Sequence, residues 1–566
     1  MFFSLPALGV LCCGLKMISA IRVAHHDPTQ IFLEADPDKR IDVSAPKVSV
    51  SPVFIDIPLD HAAKNPMAST FPNRFYVKAD WYKRGGPVFL YDGGEGAADD
   101  YWIQSAPNEE YKNLSFFEKF LKDHGGLGIV WEHRYYGESL PRGMNLTRSN
   151  ENDFRYLTTQ QALADVDYFA KNYKGSGKIF DNVDLSPRKT PWIFIGCSYP
   201  GSRAALMRVA YPDTIFASYA ASAPVQAVVD MPAYFEPIWA GLRKYGFANC
   251  TADMHMAISA IDNRIDKGEA SAFQIKQQLL GCTNPPMSNS NFANRLAGLW
   301  DSWQGRGIKP DPDEGWPRPG LQHMCNNVSY DPETQKYSDA RGWAAVHKDG
   351  VNFTLRRLAS WPEFKQQAGF SKGKNVKCPA SPPSAPFTCV PDRDVDDISW
   401  KYQYCTEWGY LQVANIGDSQ IVSKFRDLNF FRQQCLCQFK SSGGKRAIPN
   451  TPKVELLNQQ YGGWNMRPSR TFWTVGEFDP WKSSSPLKVN NHTIPECDAS
   501  TAAGAPLFGH VLRDNQHCGD FNNTNPQAVV AHELFSNALK QWLCCFVKSH
   551  KDSLNEGAKK VLCPSA

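Results

Sequence analysis

The sequence predicts an α/β protein in which a parallel sheet carries helices on both faces and a mostly helical segment is inserted into the chain. Between residues 53 and 220, apolar runs with strand character alternate with segments of helical spacing. This alternation stops at about residue 226 and resumes at residue 471. Such alternation is typical of parallel strands, which need crossover helices between them.

The first part of the predicted core spans residues 47–225. Its elements are apolar runs and segments with apolar residues at helical spacing. The predicted strands are 53–61, 74–81, 87–91, 127–131, 191–195 and 215–220, and the predicted helices are 114–124, 159–172 and 202–210. Because ligands bind at the carboxyl ends of parallel strands, we expect the functional residues in the loops that follow these strands.

A change of pattern marks residues 226–450 as an insertion. Helical segments, proline-rich stretches and several cysteines replace the alternation, and Cys378 and Cys389 bracket a loop rich in proline and serine. We therefore expect a mostly helical cap that is held by disulfide bonds. The core resumes over residues 451–566, with predicted strands at 471–475 and 507–512 and a closing helix at 526–547.

Length and charge exclude some classes of function. The chain has 566 residues, of which 42% are hydrophobic, so it can bury a large core. Its net charge of +4 is close to neutral and gives no reason to expect a nucleic acid or an anionic membrane as partner. Aromatic residues make up 12% of the chain, which suits an enzyme with an aromatic-lined cleft and equally an ordinary core.

The N-terminal residues resemble a targeting segment. Residues 1–15 are apolar and uncharged, and small residues follow up to Ala20, so we expect a secretory signal peptide over residues 1–20. A membrane anchor is the alternative, but the run is short for a spanning helix. Residues 21–46 are polar and lack periodicity, and they form either an N-terminal arm or a pro-segment.

Cysteines and glycosylation sequons also indicate the secretory route. Two of the 16 cysteines, Cys12 and Cys13, lie in the predicted signal peptide, which leaves an even number for the mature chain. Asn-x-Ser/Thr sequons are surface features of secreted proteins. They occur at Asn113, Asn145, Asn249, Asn327, Asn352, Asn491 and Asn522.

The segment Gly-Cys-Ser-Tyr-Pro-Gly at residues 196–201 lies between a predicted strand and a predicted helix. This is the context of the nucleophile elbow of α/β-hydrolases, in which a tight turn exposes a serine, here Ser198. The second glycine, Gly201, comes one position late, and Pro200 occupies its usual place. A serine in a loop is commonly only a turn residue, but the strand and helix around it favour the nucleophile. The predicted fold is therefore an α/β-hydrolase with a large, mostly helical cap.

Chain order limits the partners of Ser198, because the acid and then the histidine follow the serine in this fold. Glu477 and Asp479 both follow the predicted strand 471–475, and either fits as the acid. Of the later histidines, His517 is the one in a loop between the last strand and the last helix. It would take the serine's proton, and the acid would fix its tautomer and stabilise the imidazolium.

The oxyanion of an acyl-transfer reaction needs two backbone N–H donors. One is expected from Tyr199, directly after the nucleophile. The other is expected from the Gly-Gly-Glu-Gly run at residues 93–96, with Gly94 and Glu95 as the candidates. The same run could be a phosphate loop, but no Gly-Lys-Ser/Thr follows it. No metal and no cofactor are expected.

Several stretches together resemble the lysosomal Pro-X carboxypeptidase family of serine peptidases, which also includes lysosomal dipeptidyl peptidases and fungal acid prolyl endopeptidases. The resemblance covers roughly residues 50–545, and the motifs occur in family order. They lie at residues 92–96, 132–139, 156–165, 196–201, 222–225, 405–407, 479–481 and 517–520.

The resemblance implies a secreted or lysosomal/vacuolar serine peptidase that cleaves after proline or small residues through an acyl-enzyme, usually at acid pH. It assigns the catalytic roles to Ser198, Asp479 and His517. It also implies that Trp481 lines a proline pocket beneath the cap, although a core tryptophan fits the sequence equally well. The expected partners are peptide substrates that contain proline. Nucleic acid and a membrane anchor are not expected, and a homodimer is an open alternative to a monomer.

The chain departs from the family pattern at two positions of the elbow. Many members have glycine where this chain has Cys197, and a small residue where it has Pro200. We expect Cys197 to be a buried free thiol, which leaves an odd number of other cysteines. The pattern does not separate exopeptidase from endopeptidase. An esterase or lipase of the same fold, or a catalytically silent hydrolase-like binding protein, are the alternative functions.

Overall fold

The protein is described here by a computed structural model. It describes residues 49–144, 151–281, 287–309, 320–370, 387–389, 391–439, 448–497, 506–523 and 525–564. The predicted signal peptide, the N-terminal arm, Asn145 and Cys378 lie outside the described residues.

The centre of the molecule is an eight-stranded sheet with the order β1-β2-β4-β3-β5-β6-β11-β12. Two two-stranded sheets, β7 with β10 and β8 with β9, lie apart from it. The strands are β1 Val53–Pro58, β2 Thr70–Lys78, β3 Val88–Asp92, β4 Leu127–Trp131, β5 Trp192–Cys197, β6 Ala217–Ala221, β7 Val228–Asp230, β8 Tyr330–Asp331, β9 Lys336–Tyr337, β10 Gly409–Leu411, β11 Thr471–Gly476 and β12 Gly509–Leu512.

The prediction of a parallel sheet holds for most of the main sheet, but it is wrong for β2. β2 is antiparallel to both of its neighbours, β1 and β4, whereas the other neighbouring strands of the main sheet are parallel. The physical reason is the connection: β1 and β2 are joined without a crossover helix, and a short connection of this kind reverses the chain. The strand order with its reversed second strand is that of the α/β-hydrolase fold.

Helices cover the sheet and fill most of the chain between β6 and β11. The helices are α1 Phe116–His124, α2 Glu151–Phe154, α3 Thr159–Asn172, α4 Tyr199–Ala210, α5 Glu236–Lys244, α6 Ala248–Asp266, α7 Glu269–Leu280, α8 Asn289–Ala297, α9 Trp303–Arg306, α10 Leu321–Val328, α11 Trp343–Val346, α12 Val351–Ser360, α13 Phe364–Gln367, α14 Val395–Gln403, α15 Leu428–Gln438, α16 Val454–Tyr461, α17 Pro526–Ser549 and α18 Glu556–Leu562. No helix in the described ranges is both long and apolar enough to cross a membrane.

Capping side chains set where the core helices begin. The Ser115 side chain accepts a hydrogen bond from the backbone N–H of Glu118, and the Glu118 side chain accepts one from the N–H of Ser115. This capping box starts α1 at Phe116, two residues after the predicted start. The side chain of Thr158 accepts a hydrogen bond from the N–H of Gln161, so α3 begins at the predicted residue.

Both faces of the sheet are buried, as the sequence predicts. Along β5, Ile193 and Ile195 belong to the apolar cluster that includes residues of α1 and α17. Trp192 and Phe194 point the other way, into the cluster that includes residues of α3, α4 and the inserted helices. This two-residue alternation is the side-chain period of a strand, and it gives β5 a fully apolar sequence because neither face reaches solvent.

Disulfide bonds connect distant parts of the chain. Three of them join described residues of the insertion, as expected for a stapled cap: Cys250–Cys325, Cys389–Cys437 and Cys405–Cys435. Three others involve the core: Cys197–Cys518, Cys497–Cys545 and Cys544–Cys563. The prediction of a free thiol at Cys197 is therefore wrong. Its partner comes from the loop after β12, which the fold brings against the end of β5.

Candidate active site

Ser198 lies at the sharp turn between β5 and α4. Its φ of 66° is in the left-handed region, which a residue with a side chain adopts only when its surroundings hold it there. Two backbone hydrogen bonds do so: the N–H of Ser198 donates to the carbonyl of Ala221 at 3.0 Å, and its carbonyl accepts from the N–H of Ser202 at 2.9 Å. The turn thus has the strained geometry that the sequence predicts for a nucleophile elbow.

Both glycines of the elbow are required by close packing. A Cβ on Gly196 would lie 2.4 Å from the backbone carbonyl carbon of Pro200. A Cβ on Gly201 would lie 2.2 Å from the carbonyl oxygen of Ala221, at the end of β6. The late glycine therefore lets α4 approach the neighbouring strand, which explains why the motif keeps a glycine at this position.

Asp479 and His517 meet in the loops that follow β11 and β12. His517 Nδ1 lies 2.9 Å from Asp479 Oδ1, and both side chains are buried. The same Asp479 oxygen accepts a hydrogen bond from the N–H of Trp481 at 2.8 Å. Within the described part of the chain, His517 Nε2 and Ser198 Oγ are buried atoms without a hydrogen-bond partner. A carboxylate at Nδ1 favours the tautomer with its proton on Nδ1, which leaves Nε2 as an acceptor.

Glu477, the other acid that the sequence allows, has other partners than His517. Its carboxylate accepts hydrogen bonds from Lys244 Nζ at 3.1 Å and from the N–H of Asp514 at 3.0 Å. Partial burial works in the opposite direction, but the hydrogen bonds from the Asp514 N–H and from Lys244, together with the positive charge of Lys244, hold the Glu477 pKa below its ordinary value. Of the two candidate acids, Asp479 is the one that contacts the histidine.

The loop at residues 93–96 packs directly against the elbow. A Cβ on Gly94 would lie 2.4 Å from Pro200 Cγ, and the φ of Gly94 is 75°, so glycine is needed there for two reasons. The N–H of Gly94 donates to Asp92 Oδ1 at 3.2 Å. Asp92 is in turn held by Arg203 of α4 through a 2.6 Å ion pair. The N–H of Gly94 is therefore engaged inside its own loop.

The other two expected oxyanion donors occupy different surroundings. Tyr199 is the first residue of α4, where backbone N–H groups have no acceptor within the helix. Glu95 is buried, and burial raises the pKa of its carboxyl group to about 8. Its side chain is consequently neutral at neutral and acid pH.

Trp481 lies beside His517 in a cluster of aromatic rings. It is fully buried, its ring centroid is 6.5 Å from that of His517, and the rings of Tyr234 and Tyr410 meet it edge-on at 5.4 and 5.1 Å. Tyr234 and Tyr410 come from the predicted insertion. The cluster is thus built jointly by the core and the cap.

Gln304 of α9 is a contact that sequence reasoning missed. Its Oε1 accepts hydrogen bonds from Trp481 Nε1 at 2.8 Å and from the Tyr234 hydroxyl at 3.0 Å, and its carbonyl accepts from the N–H of His517 at 3.1 Å. The preceding residue, Trp303, donates from Nε1 to the carbonyl of Phe478 at 3.0 Å. No motif surrounds Gln304, so only the fold reveals that the cap contacts the loops of both Asp479 and His517.

Several family motifs outside the site contain residues that form buried polar pairs. Arg134 Nε donates to Asp165 Oδ2 at 2.6 Å, and Glu132 Oε2 forms a short ion pair with Arg74. Glu407 accepts hydrogen bonds from both the N–H and the hydroxyl of Thr159 at 2.8 Å. These motif residues therefore join segments of the fold to one another, and do not belong to the cluster around His517.

One group of side chains has the spacing of metal ligands. The ligand atoms of Cys197, His517 and Cys518 lie within 4.8 Å of one another. The two sulfurs are bonded to each other, so neither offers a thiolate. The three side chains lie close together because of the disulfide, and they do not provide a metal site.

The sequons differ in accessibility. Asn352 is exposed, and Asn113, Asn249, Asn327, Asn491 and Asn522 are partly exposed. Glycosylation at these positions stays a prediction.

Known proteins resemble this chain over most of its length. A "Probable extracellular serine carboxypeptidase" of Arthroderma benhamiae is 26% identical over 92% of this chain and 70% of the relative. The human "Thymus-specific serine protease" is 26% identical over 86% of this chain and 85% of the relative. The bovine "Lysosomal Pro-X carboxypeptidase" is 24% identical over 87% of this chain and 88% of the relative.

A protein family also matches most of the chain. Residues 58–530 fit the family described as serine carboxypeptidase S28, and this range includes the elbow, the loop at 93–96, the insertion, Asp479 and His517. The chain therefore belongs to the serine carboxypeptidase S28 family of serine peptidases.

Proposed function

We propose that the protein hydrolyses peptide bonds after proline or small residues, with Ser198, His517 and Asp479 as its catalytic triad. The observation that carries the proposal is the 2.9 Å contact between His517 Nδ1 and Asp479 Oδ1. Among the described residues, the buried atoms His517 Nε2 and Ser198 Oγ have no hydrogen-bond partner. Cys197, which precedes Ser198, and Cys518, which follows His517, form a disulfide bond. A nucleophile, a base and an orienting acid are the parts that acyl transfer needs.

In this mechanism Ser198 Oγ attacks the carbonyl carbon of the scissile bond while His517 Nε2 takes its proton. His517 then gives that proton to the leaving amine, and an acyl-enzyme remains on Ser198. Water attacks the acyl group with His517 again acting as the base, and the serine is restored. Asp479 stays ionised throughout, holds the tautomer of His517 and stabilises the imidazolium.

The oxyanion would be stabilised by backbone N–H groups on two sides. Tyr199 supplies the first, from the start of α4, where the helix dipole also favours negative charge. Glu95 supplies the second in this proposal, because the N–H of Gly94 already donates to Asp92. The role of Gly94 is then the close approach of its loop to Pro200.

The preference for proline would come from the aromatic cluster at Trp481. A flat apolar ring complements the pyrrolidine ring of proline, and the hydrogen bond from Nε1 to Gln304 fixes the plane of the indole. The name of the bovine relative, a Pro-X carboxypeptidase, supports the same preference. We extend the proposal to a secreted or lysosomal/vacuolar location, since disulfides persist in oxidising compartments. We also propose residues 226–450 as the cap.

Mass spectrometry of the products tests this function directly. The protein is incubated with proline-containing peptides of several lengths, and Ser198→Ala serves as the inactive control. Cleavage on the carboxyl side of proline by the wild type alone is the expected result, and the product sizes separate exopeptidase from endopeptidase. A higher catalytic efficiency on a nitrophenyl ester than on a prolyl anilide would favour an esterase. Failure of a fluorophosphonate probe to label Ser198 would favour a silent binding protein.

A further inference from the structure

A disulfide bond joins the immediate neighbours of the proposed nucleophile and the proposed base. Cys197 precedes Ser198, Cys518 follows His517, and their Cα atoms are 5.9 Å apart although 321 residues separate them in sequence. Both cysteines are buried. The bond therefore fixes the distance between the end of β5 and the loop after β12 at the position of the reacting side chains.

The hydrogen bonds near these residues determine that distance less directly. Ser198 Oγ and His517 Nε2 have no hydrogen-bond partner among the described residues, so no hydrogen bond joins these two atoms. The backbone of His517 is held by the Gln304 carbonyl at 3.1 Å, which belongs to the cap and not to the elbow. The N–H of Cys518 donates to Ser222 Oγ at 3.0 Å, after β6. Neither of these hydrogen bonds is made to Ser198 itself, so each fixes the separation between Ser198 and His517 only indirectly.

We propose that the Cys197–Cys518 disulfide is a positioning element of the catalytic site. It keeps His517 at the distance from Ser198 that proton transfer needs. A serine and its base must come within about 2.6–3.2 Å of hydrogen-bond reach in the reacting complex. A displacement of about 1 Å can lower the rate about 100-fold. A covalent bond one residue away from each group limits such a displacement more strictly than the hydrogen bonds to Gln304 and Ser222.

The backbone at Cys518 supports this role. Its φ is 54°, in the left-handed region that few residues with side chains adopt. The turn redirects the chain directly after His517, and the next residues are held in place because the Asp520 carboxylate accepts hydrogen bonds from Tyr219 and Thr474 at 2.7 and 2.6 Å. His517 thus lies between Asp479, which orients its ring, and the disulfide, which holds its backbone against the elbow.

The inference rests on the proposed function, and its test compares two double variants. Cys197→Ala/Cys518→Ala removes the bond at the site. Cys250→Ala/Cys325→Ala removes a bond that is also buried but joins α6 to α10 in the cap. For each protein, kcat and KM are measured on a prolyl peptide, and labelling with a fluorophosphonate is followed to completion. Dividing kcat by the number of labelled sites removes the effect of any misfolded fraction.

We expect the site variant to lose about 10- to 100-fold in kcat per labelled site, with KM within about 3-fold, and to be labelled correspondingly more slowly. The cap variant should keep both rates within about 2-fold. Equal kcat and labelling rates in the site variant and the wild type would overturn the inference. If the site variant does not fold, Cys197→Ala/Cys518→Asn replaces it, because asparagine tolerates the left-handed backbone. A wild type that labels but does not cleave prolyl peptides would contradict the proposed substrate only, and the labelling rates would still decide the role of the bond.

Discussion

Asp479 and His517 are joined by a 2.9 Å contact between buried atoms, whereas Glu477, two residues before Asp479, bonds to Lys244 at the surface. Glu477 directly follows β11, which ends at Gly476, and its carboxylate bonds to Lys244 of the cap helix α5 and to the N–H of Asp514. Asp479, two residues later, contacts His517 further along the loop that follows β12. This difference determines which carboxylate can orient the imidazole.

Asp479→Asn should therefore abolish most of the activity. An amide at this position cannot keep the proton on His517 Nδ1 in the same way, and it does not stabilise the imidazolium. We expect kcat on a prolyl peptide to fall by about 10³- to 10⁴-fold, with a small change in KM. The matched control is Glu477→Gln, which should keep kcat within about 3-fold. Equal losses in the two variants would contradict the assignment of the acid.

A second prediction concerns Gln304, the cap residue that contacts Trp481 and the backbone of His517. Gln304→Leu leaves the indole N–H of Trp481 and the hydroxyl of Tyr234 without their acceptor. An unsatisfied buried polar group costs about 1–3 kcal/mol. We expect a lower melting temperature and a higher KM for substrates with proline at the cleaved bond, measured by calorimetry and steady-state kinetics.

The control for this prediction is Gln459→Leu, the same change at an exposed position of α16. It should alter neither the melting temperature nor KM appreciably. If Gln304→Leu loses stability but binds prolyl and alanyl substrates as the wild type does, Trp481 belongs to the core and does not line the substrate pocket.

A third prediction concerns the pH dependence of catalysis at Glu95. Burial raises the pKa of Glu95 to about 8, so its carboxyl group is protonated and neutral on the acid side of that value. Above it, the group becomes negative in the loop that we propose for oxyanion binding, where negative charge opposes the transition state. We expect kcat/KM of the wild type to decline as the pH rises through about 8.

Glu95→Gln should behave like the protonated wild type. We expect the two proteins to agree within about 3-fold between about pH 5 and 6, and the variant to retain its kcat/KM above pH 8, where the wild type loses it. The measurement is a pH profile of kcat/KM for both proteins in the same buffers. Parallel alkaline declines in the two profiles would show that another group controls this limb.

The sequence was sufficient for the parts of the site that lie in strands and tight turns. β4 and α3 have the predicted bounds, and the elbow was found because strand, glycines and helix are contiguous in the chain. Chain order, together with its place in the loop between the last strand and the last helix, indicates His517 as the base. These features depend on local backbone geometry, which short sequence patterns can predict.

The rest depends on contacts between distant residues and could not be predicted in that way. Chain position does not decide between Glu477 and Asp479, because both follow the same strand and their surroundings depend on the packing of the next loop; Asp479 is indicated by the family resemblance. Gln304 lies in the insertion, and no motif around it marks a contact with the core. The bond between Cys197 and Cys518 was missed since disulfide connectivity is not encoded in cysteine spacing.

A last prediction concerns Asp396, which joins the cap helix α14 to the core. Its carboxylate accepts hydrogen bonds at 2.8 Å from the N–H of Ala97, beside the loop at 93–96, and from the N–H of Gly137. Burial, together with the negative charge of nearby Asp394, raises the pKa of Asp396 from an ordinary value of 3.8 to about 6, against the effect of these hydrogen bonds.

The sign of the pH effect follows from proton uptake. Between about pH 4 and 6 the folded state binds the Asp396 proton more tightly than the unfolded state, so the free energy of unfolding falls as the pH rises through this window and then levels off. The contribution is on the order of 3 kcal/mol, from about 1.4 kcal/mol for each of roughly two pKa units.

Urea denaturation at pH 4, 5, 6 and 7 measures this contribution to the free energy of unfolding. Asp396→Asn should flatten this part of the profile, and Asp418→Asn, an exposed position, should leave it unchanged. A profile of Asp396→Asn that falls as steeply as that of the wild type would assign the proton uptake to other carboxyl groups.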